Sequence, residues 1–253
     1  METHKIALIT GGSRGIGRSE AIALSKKGIH SVITYKSDKA SAELVVQEIE
    51  QLGGKAVSMQ LDVSEISSFE LFVSDLSKVL KQTWGQTQLD ILINNAGIGG
   101  QTLLGSTTEE QFDDLINVNF KGIYFLTQAL LPLIVDRGSI INVSSALARV
   151  TAEGSSIYGA MKGALEILTK YWAKELGVRK IKVNTVAPGP TVTDFGGGII
   201  KTDESIREYL IEQTALGEVG DPDHVASVIA SLCLDDMQWV TAQRIEASGG
   251  FMI

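Results

Sequence analysis

The amino-acid sequence predicts an α/β protein: one doubly wound parallel sheet of about seven strands with helices on both faces. Three observations carry this. Short apolar runs alternate along the chain with longer stretches whose apolar residues recur at helical spacing. The short runs are apolar almost throughout, as strands covered on both faces must be, instead of alternating apolar with polar. No repeat, low-complexity tract or linker divides the 253 residues, so 1–253 reads as a single domain.

Taken in order, residues 5–10 form the first apolar run, and a glycine cluster follows at once. Residues 18–27 carry Ala21, Ile22 and Leu24 at helical spacing and stop at Gly28. A β-branched strand at 31–35 leads to a helix at 39–52, which Gly53 and Gly54 break. Then come a strand at 56–61, a helix at 66–80, a strand at 89–93 and a long helix at 109–131 closed by Pro132. The last section holds a strand at 139–143, a helix at 157–176, a strand at 182–186, a glycine-containing polar loop, a helix at 222–234 and a strand at 243–246.

Composition excludes several classes. A net charge of -8 and a pI near 5.0 argue against a nucleic-acid partner or an anionic membrane surface. No run of about 18 apolar residues offers a membrane span, and residues 1–9 lack a secretory layout, which predicts a cytoplasmic protein. The single cysteine, Cys233, and three scattered histidines make no metal-ligand cluster.

The turn Thr10-Gly11-Gly12-Ser13-Arg14-Gly15-Ile16-Gly17 joins the first strand to a helix. Glycines there let the backbone approach a pyrophosphate, and free amides at the helix start attract its charge. Gly11, Ser13, Arg14, Gly15, Ile16 and Gly17 are therefore candidate dinucleotide contacts, although the spacing is G-x-x-x-G-x-G and not the commoner G-x-G-x-x-G. At the end of the second strand, Tyr35, Lys36 and Ser37 precede the first carboxylate, Asp38. A cation there accommodates a 2′-phosphate and an acid repels it, so the cofactor expected is NADP(H), with Arg14 as a second cation.

Tyr158 and Lys162 stand one helical turn apart and share a face. An ammonium beside a phenol favours its ionised form, and such a pair can pass a proton to or from an alcohol oxygen. Alone, Tyr-x-x-x-Lys is an ordinary amphipathic pair. Its company changes that: Asn95, Ala96 and Gly97 follow the fourth strand, Ser144 and Ser145 end the fifth, and Asn119 interrupts an apolar helix.

These segments together resemble the short-chain dehydrogenase/reductase family, over residues 5–250. The marks are the glycine turn, Asp62-Val63, Asn94-Asn95-Ala96-Gly97, Asn119, Ser145, Tyr158-x-x-x-Lys162, Asn184, Pro188-Gly189 and Thr193. The resemblance implies a Rossmann-like fold. It also implies that Tyr158 is the proton donor in reduction and that Lys162 lowers the phenol pKa and holds the nicotinamide ribose. Ser145 would bind the substrate oxygen, and Asn119 would distort its helix and hold a relay water. It implies further that Asp62 and Val63 meet the adenine, that Asn95, Ala96 and Gly97 lie at the adenosine ribose, and that Pro188, Gly189, Thr191 and Thr193 lie at the carboxamide. It implies, too, that the long helices at 112–131 and 157–176 pair between subunits in a homotetramer.

The sequence departs from the family pattern near its end. Ala242 stands where a glycine is common, and its Cβ should close off a positive φ. Residues 190–216, with Gly196, Gly197 and Gly198, read as a substrate lid. Substrate contacts expected are Ser145, Leu147, Tyr158 and Phe195, with Ala146, Val150 and Ile199 as further apolar walls beside Glu153. The leading function is reduction of a small-molecule ketone or aldehyde to an alcohol. Reduction of a 3-oxoacyl group on a carrier protein is the alternative, with Arg149 and Lys201 as its basic docking candidates. A non-catalytic NADP(H)-binding regulator is the remote one.

Overall fold

The computed structural model describes residues 4–253, so residues 1–3, where the stretch read for a leader begins, lie outside it. Seven strands form one parallel sheet: β1 Ile6–Ile9, β2 His30–Tyr35, β3 Ala56–Gln60, β4 Leu89–Asn94, β5 Ile134–Val143, β6 Lys182–Pro188 and β7 Arg244–Ala247. Their order is β3-β2-β1-β4-β5-β6-β7, all pairs parallel. The order reverses between β1 and β4, and a crevice opens there at the carboxyl ends of the strands.

The strands are apolar throughout because each feeds two cores. In β1, Ile6 and Leu8 join one cluster with Leu76 of α3 (Phe69–Trp84), Leu126 of α5 (Gly122–Leu130) and Leu165 of α6 (Ser156–Glu175). Ala7 and Ile9 join the other, with Ile22 of α1 (Gly15–Ser25), Val45 of α2 (Lys39–Gln51) and Ile229 of α9 (Pro222–Leu232). Burying a side chain of that size contributes roughly 1.5–3 kcal/mol. Among the described residues, no helix is long and apolar enough to cross a membrane.

Three expectations need correction. The helix expected over 109–131 is broken: α4 (Glu109–Ile116) and α5 flank a wide turn at Asn117–Lys121. The Asn119 amide donates to Leu115 O at 3.0 Å, and Gly122 lies so near the β3 exit that a Cβ would meet Val63 O at 1.9 Å.

Residues 190–216 are not an open loop. They hold a turn at Phe195–Gly198, α7 (Ile199–Thr202) and α8 (Glu204–Glu212). Asp203 caps α8 by accepting from Ile206 N at 3.1 Å, so a polar stretch became helix.

Ala242 adopts φ +59° despite its Cβ. Flanking bonds hold it there: Ala242 N donates to Val183 O at 2.8 Å and Val183 N to Thr241 Oγ1 at 3.1 Å. The left-handed conformation costs about 1–2 kcal/mol, which those bonds offset.

Candidate active site

A cavity of about 830 Å³ opens along the carboxyl edge of the sheet. At one end lies the glycine turn. Gly11 and Gly15 have φ of +67° and +54°, and a Cβ on Gly17 would stand 2.4 Å from Gly11 O. Asn95 ties this turn to the β4 exit, its Nδ2 donating to Thr10 O at 2.8 Å and to Gly11 O at 3.2 Å. Thr10 Oγ1 in turn accepts from Asn95 N and Ala96 N, each at 3.0 Å. The helix α1 that follows has no side-chain cap and no acid in its first turn. Its first amides therefore face the cavity with no anion supplied by the chain, which fits a pyrophosphate.

The positions read from the sequence as dinucleotide contacts all border this cavity, from Gly11 through Ser13, Ile16 and Tyr35 to Thr193. Lys36, expected to offer its charge to a 2′-phosphate, borders the cavity and pairs with Asp62 at 2.7 Å, its side chain 69% exposed. Asp38 also borders the cavity, but its carboxylate is engaged by its own helix, accepting from Ser41 N at 3.0 Å and Ser41 Oγ at 2.6 Å. The nearest carboxylate after β2 is thus occupied as a helix cap, and Arg14, Lys36 and Ser37 stay beside the opening.

At the other end, α6 presents Tyr158 and Lys162, both buried. Lys162 Nζ donates to Val143 O at 2.9 Å and lies 5.6 Å from the Tyr158 ring centroid. Ser145, at the β5 exit, accepts from Leu147 N at 3.1 Å and keeps its hydroxyl against the phenol. Ser144 faces the helix instead, with Oγ 2.8 Å from Glu166 Oε1 and 3.2 Å from Lys162 O, and so fastens α6 to β5. Gly159 permits that closeness, since a Cβ there would meet Leu147 O at 2.7 Å.

Asn119 is not a wall of the cavity. It is fully buried, donating to Ile98 O at 3.0 Å and accepting from Ile98 N at 3.3 Å, so its amide holds the segment after Gly97. A Cβ on Gly97 would stand 2.9 Å from Asn119 Oδ1 and 3.6 Å from Lys162 Nζ. Glycine at 97 therefore keeps the space between these two groups open.

The electrostatics differ from the expectation that Lys162 acidifies the phenol. Burial pushes Tyr158 up to about 12, opposed by the Ser145 hydrogen bond, and burial pushes Lys162 down to about 8. Desolvation disfavours the charged form of each.

A family model described as Enoyl-(Acyl carrier protein) reductase matches residues 11–252. The short-chain dehydrogenase/reductase FrzI of a Cladobotryum species is 37% identical over 253 residues, covering 98% of this chain and 96% of its own. This chain belongs to the short-chain dehydrogenase/reductase family. The 3-oxoacyl-[acyl-carrier-protein] reductase FabG of Staphylococcus aureus is 35% identical over 253 residues, covering 99% of each. The solved structure of the angucycline C-6 ketoreductase LanV with bound NADP superposes with a TM-score of 0.92 at 38% identity, covering 98% of this chain and 95% of that one.

Leu147 and Phe195, expected as apolar substrate walls, line the cavity beside Ser145 and Tyr158. The Phe195 and Tyr158 ring centroids lie 5.7 Å apart at 50°, and Gly99 leaves the room this needs: a Cβ there would meet Phe195 Cε1 at 2.9 Å. Ile199, expected as a wall, is 46% exposed, and Ile200 faces the cavity in its place. Among the walls that escaped the sequence reading are Tyr209 and Leu210 on α8, and Phe251 and Met252 in the C-terminal tail. The first pair was hidden by reading a loop where a helix forms. The apolar pair after Gly249-Gly250 was a signal available for the second.

Proposed function

We propose that this chain is an NADP(H)-dependent reductase that converts a small-molecule ketone or aldehyde to an alcohol. One observation carries the reading: the glycine turn and the Ser145–Tyr158 pair are walls of the same cavity. The relative LanV binds NADP and is a ketoreductase, which supports both the cofactor and the reaction class. A nicotinamide bound there supplies a hydride to the carbonyl carbon.

The chain's own groups do the rest. Ser145 donates a hydrogen bond to the substrate oxygen and steadies charge as it develops. Tyr158, protonated far above neutrality, gives its proton to that oxygen. Lys162, with a pKa near 8, is mainly charged at neutral pH and compensates the tyrosinate left behind. Asn119 sets the course of the segment after Gly97. The backbone around Gly11 to Gly17 receives the pyrophosphate, Asp62 and Val63 the adenine end, and Pro188, Gly189, Thr191 and Thr193 the nicotinamide end. Arg14, Lys36 and Ser37 hold the 2′-phosphate, for which Lys36 must exchange its Asp62 partner.

Residues 190–216 serve as the substrate cover, with Phe195 against the catalytic ring. The exposed apolar residues Phe112, Tyr124, Phe125, Ile167 and Tyr171 on α4, α5 and α6 support a homotetramer, for which a monomer in sedimentation at micromolar concentration is the refuting result.

FabG, as a relative, raises the carrier-protein reading. The two basic residues that would receive an acidic carrier are both engaged, Lys201 with Asp194 at 2.6 Å and Arg149 with Glu246 at 2.6 Å, which favours a free small molecule. The test is NADPH consumption across a ketone panel and an acetoacetyl-carrier protein, with Tyr158→Phe as blank. Turnover on the ketones is expected, falling by about 10²–10⁴ in the variant. A Tyr158→Phe enzyme as fast as wild type refutes the mechanism.

A further inference from the structure

The C-terminal tail is tied on two sides. On one it pairs antiparallel with the segment after α8: Ala215 N donates to Gly250 O at 3.2 Å, Leu216 N to Gly249 O at 3.0 Å and Met252 N to Gln213 O at 2.8 Å. Gly250 allows this approach, since a Cβ there would meet Ala215 Cβ at 2.8 Å. On the other side stands Arg149, four residues along the chain from Ser145. Its Nη1 donates to Met252 O at 3.0 Å and its Nη2 to Phe251 O at 2.6 Å. The same guanidinium forks onto Glu246 of β7, Nε to Oε2 at 2.9 Å and Nη2 to Oε1 at 2.6 Å.

Glu246 is itself anchored, accepting from Arg244 Nη1 at 2.7 Å and Ser248 Oγ at 2.9 Å. Arg244 Nε continues to Glu166 of α6 at 2.7 Å, on the helix that carries Tyr158 and Lys162. A charged relay of alternating sign thus runs from the catalytic helix, through the last strand, to the Arg149 loop and the tail. Removing Arg149 would leave Glu246 paired with Arg244, so the loss falls on the two tail carbonyls. Phe251 and Met252 are walls of the cavity, and the tail's other partner is the foot of the segment carrying Tyr209 and Leu210.

We propose that Arg149 is a positioning residue that pins the C-terminal tail, and through it the foot of the 190–216 cover, to the Ser145 loop, setting the distal wall on which a bulky substrate rests. The substrate part of this rests on the reductase reading above; the pinning part does not. A lysine at 149 keeps the charge but cannot fork onto a carboxylate and reach two carbonyls at once.

Amide hydrogen exchange on the full chain, without substrate, is the first measurement. Arg149→Gln is expected to speed exchange at Ala215, Leu216 and Met252 by about tenfold, the scale of one charge-assisted hydrogen bond, with β4 and β5 amides unchanged and Arg149→Lys intermediate. Unchanged exchange at those three amides overturns the proposal. Kinetics are the second. KM for a bulky polycyclic ketone is expected to rise about tenfold in Arg149→Gln with kcat within about twofold, a small ketone being unaffected. An equal fall in kcat on both ketones places Arg149 at the reacting atoms or in the general fold and also overturns it. A wild-type chain that reduces no ketone refutes the reductase reading alone, and exchange still decides the pinning.

Discussion

Glu20 lies on α1 with no solvent exposure, and neither carboxyl oxygen has a hydrogen-bond partner among the described residues. Burial raises its pKa from 4.5 to about 8. In the unfolded chain this carboxyl is ionised near neutrality, whereas in the folded chain it must take up a proton. At pH 7 that uptake costs 2.303RT times the distance from pH 4.5, or about 3 kcal/mol. Because the folded pKa is raised, the cost is absent below the unfolded value, grows as pH rises from 4.5 and levels off above about 8. Glu20→Gln keeps the shape and cannot ionise; its buried amide carries a penalty that is the same at every pH. The difference between variant and wild type should therefore climb by about 3 kcal/mol between pH 4.5 and pH 7, or roughly 6–12 °C in Tm for a chain of this size. Thermal unfolding followed by circular dichroism across that range reads it. A difference between the two proteins that stays flat with pH would refute the assignment of a buried, proton-binding Glu20.

Three further outcomes are expected. Lys36→Asp should reverse the preference for NADPH over NADH by at least about tenfold in kcat/KM, because a carboxylate repels a 2′-phosphate; an unchanged ratio would transfer that role to Arg14 and Ser37. Gly17→Ala pushes a methyl to 2.4 Å from Gly11 O, so NADPH affinity measured by nucleotide fluorescence should fall more than about tenfold with the sheet intact. The saturated rate of ketone reduction should decline above about pH 8 as Lys162 loses its proton, the phenol staying protonated to about 12. In Lys162→Arg that limb should move upward, and a limb that stays put assigns it to another group.

Much of the architecture was legible because local chemistry and tertiary demand agree. Apolar runs become strands buried on both faces, and glycines become the close approach between Gly11, Gly17 and Asn95. Tyr158 and Lys162 were legible because helical spacing alone puts them on one face. What escaped depends on partners distant in the chain. The Lys36 side chain finds Asp62 across the β2–β3 edge. The left-handed Ala242 is held by bonds to β6 that no local propensity records. Residues 199–212 were hidden by polar composition, since α8 covers the cavity with one small apolar set and shows water its other side.

The strand order carries a consequence for how the chain is made. After β1, β2 and β3 have paired, each later strand is added at a free border: β4 to β1, then β5, β6 and β7 outward in turn. Nothing that leaves the ribosome late has to be threaded between neighbours already zipped together. The nucleotide-cradling half can thus close before the residues that perform proton transfer have been translated, and a nascent chain halted after Asn94 should already resist protease across its first three strands.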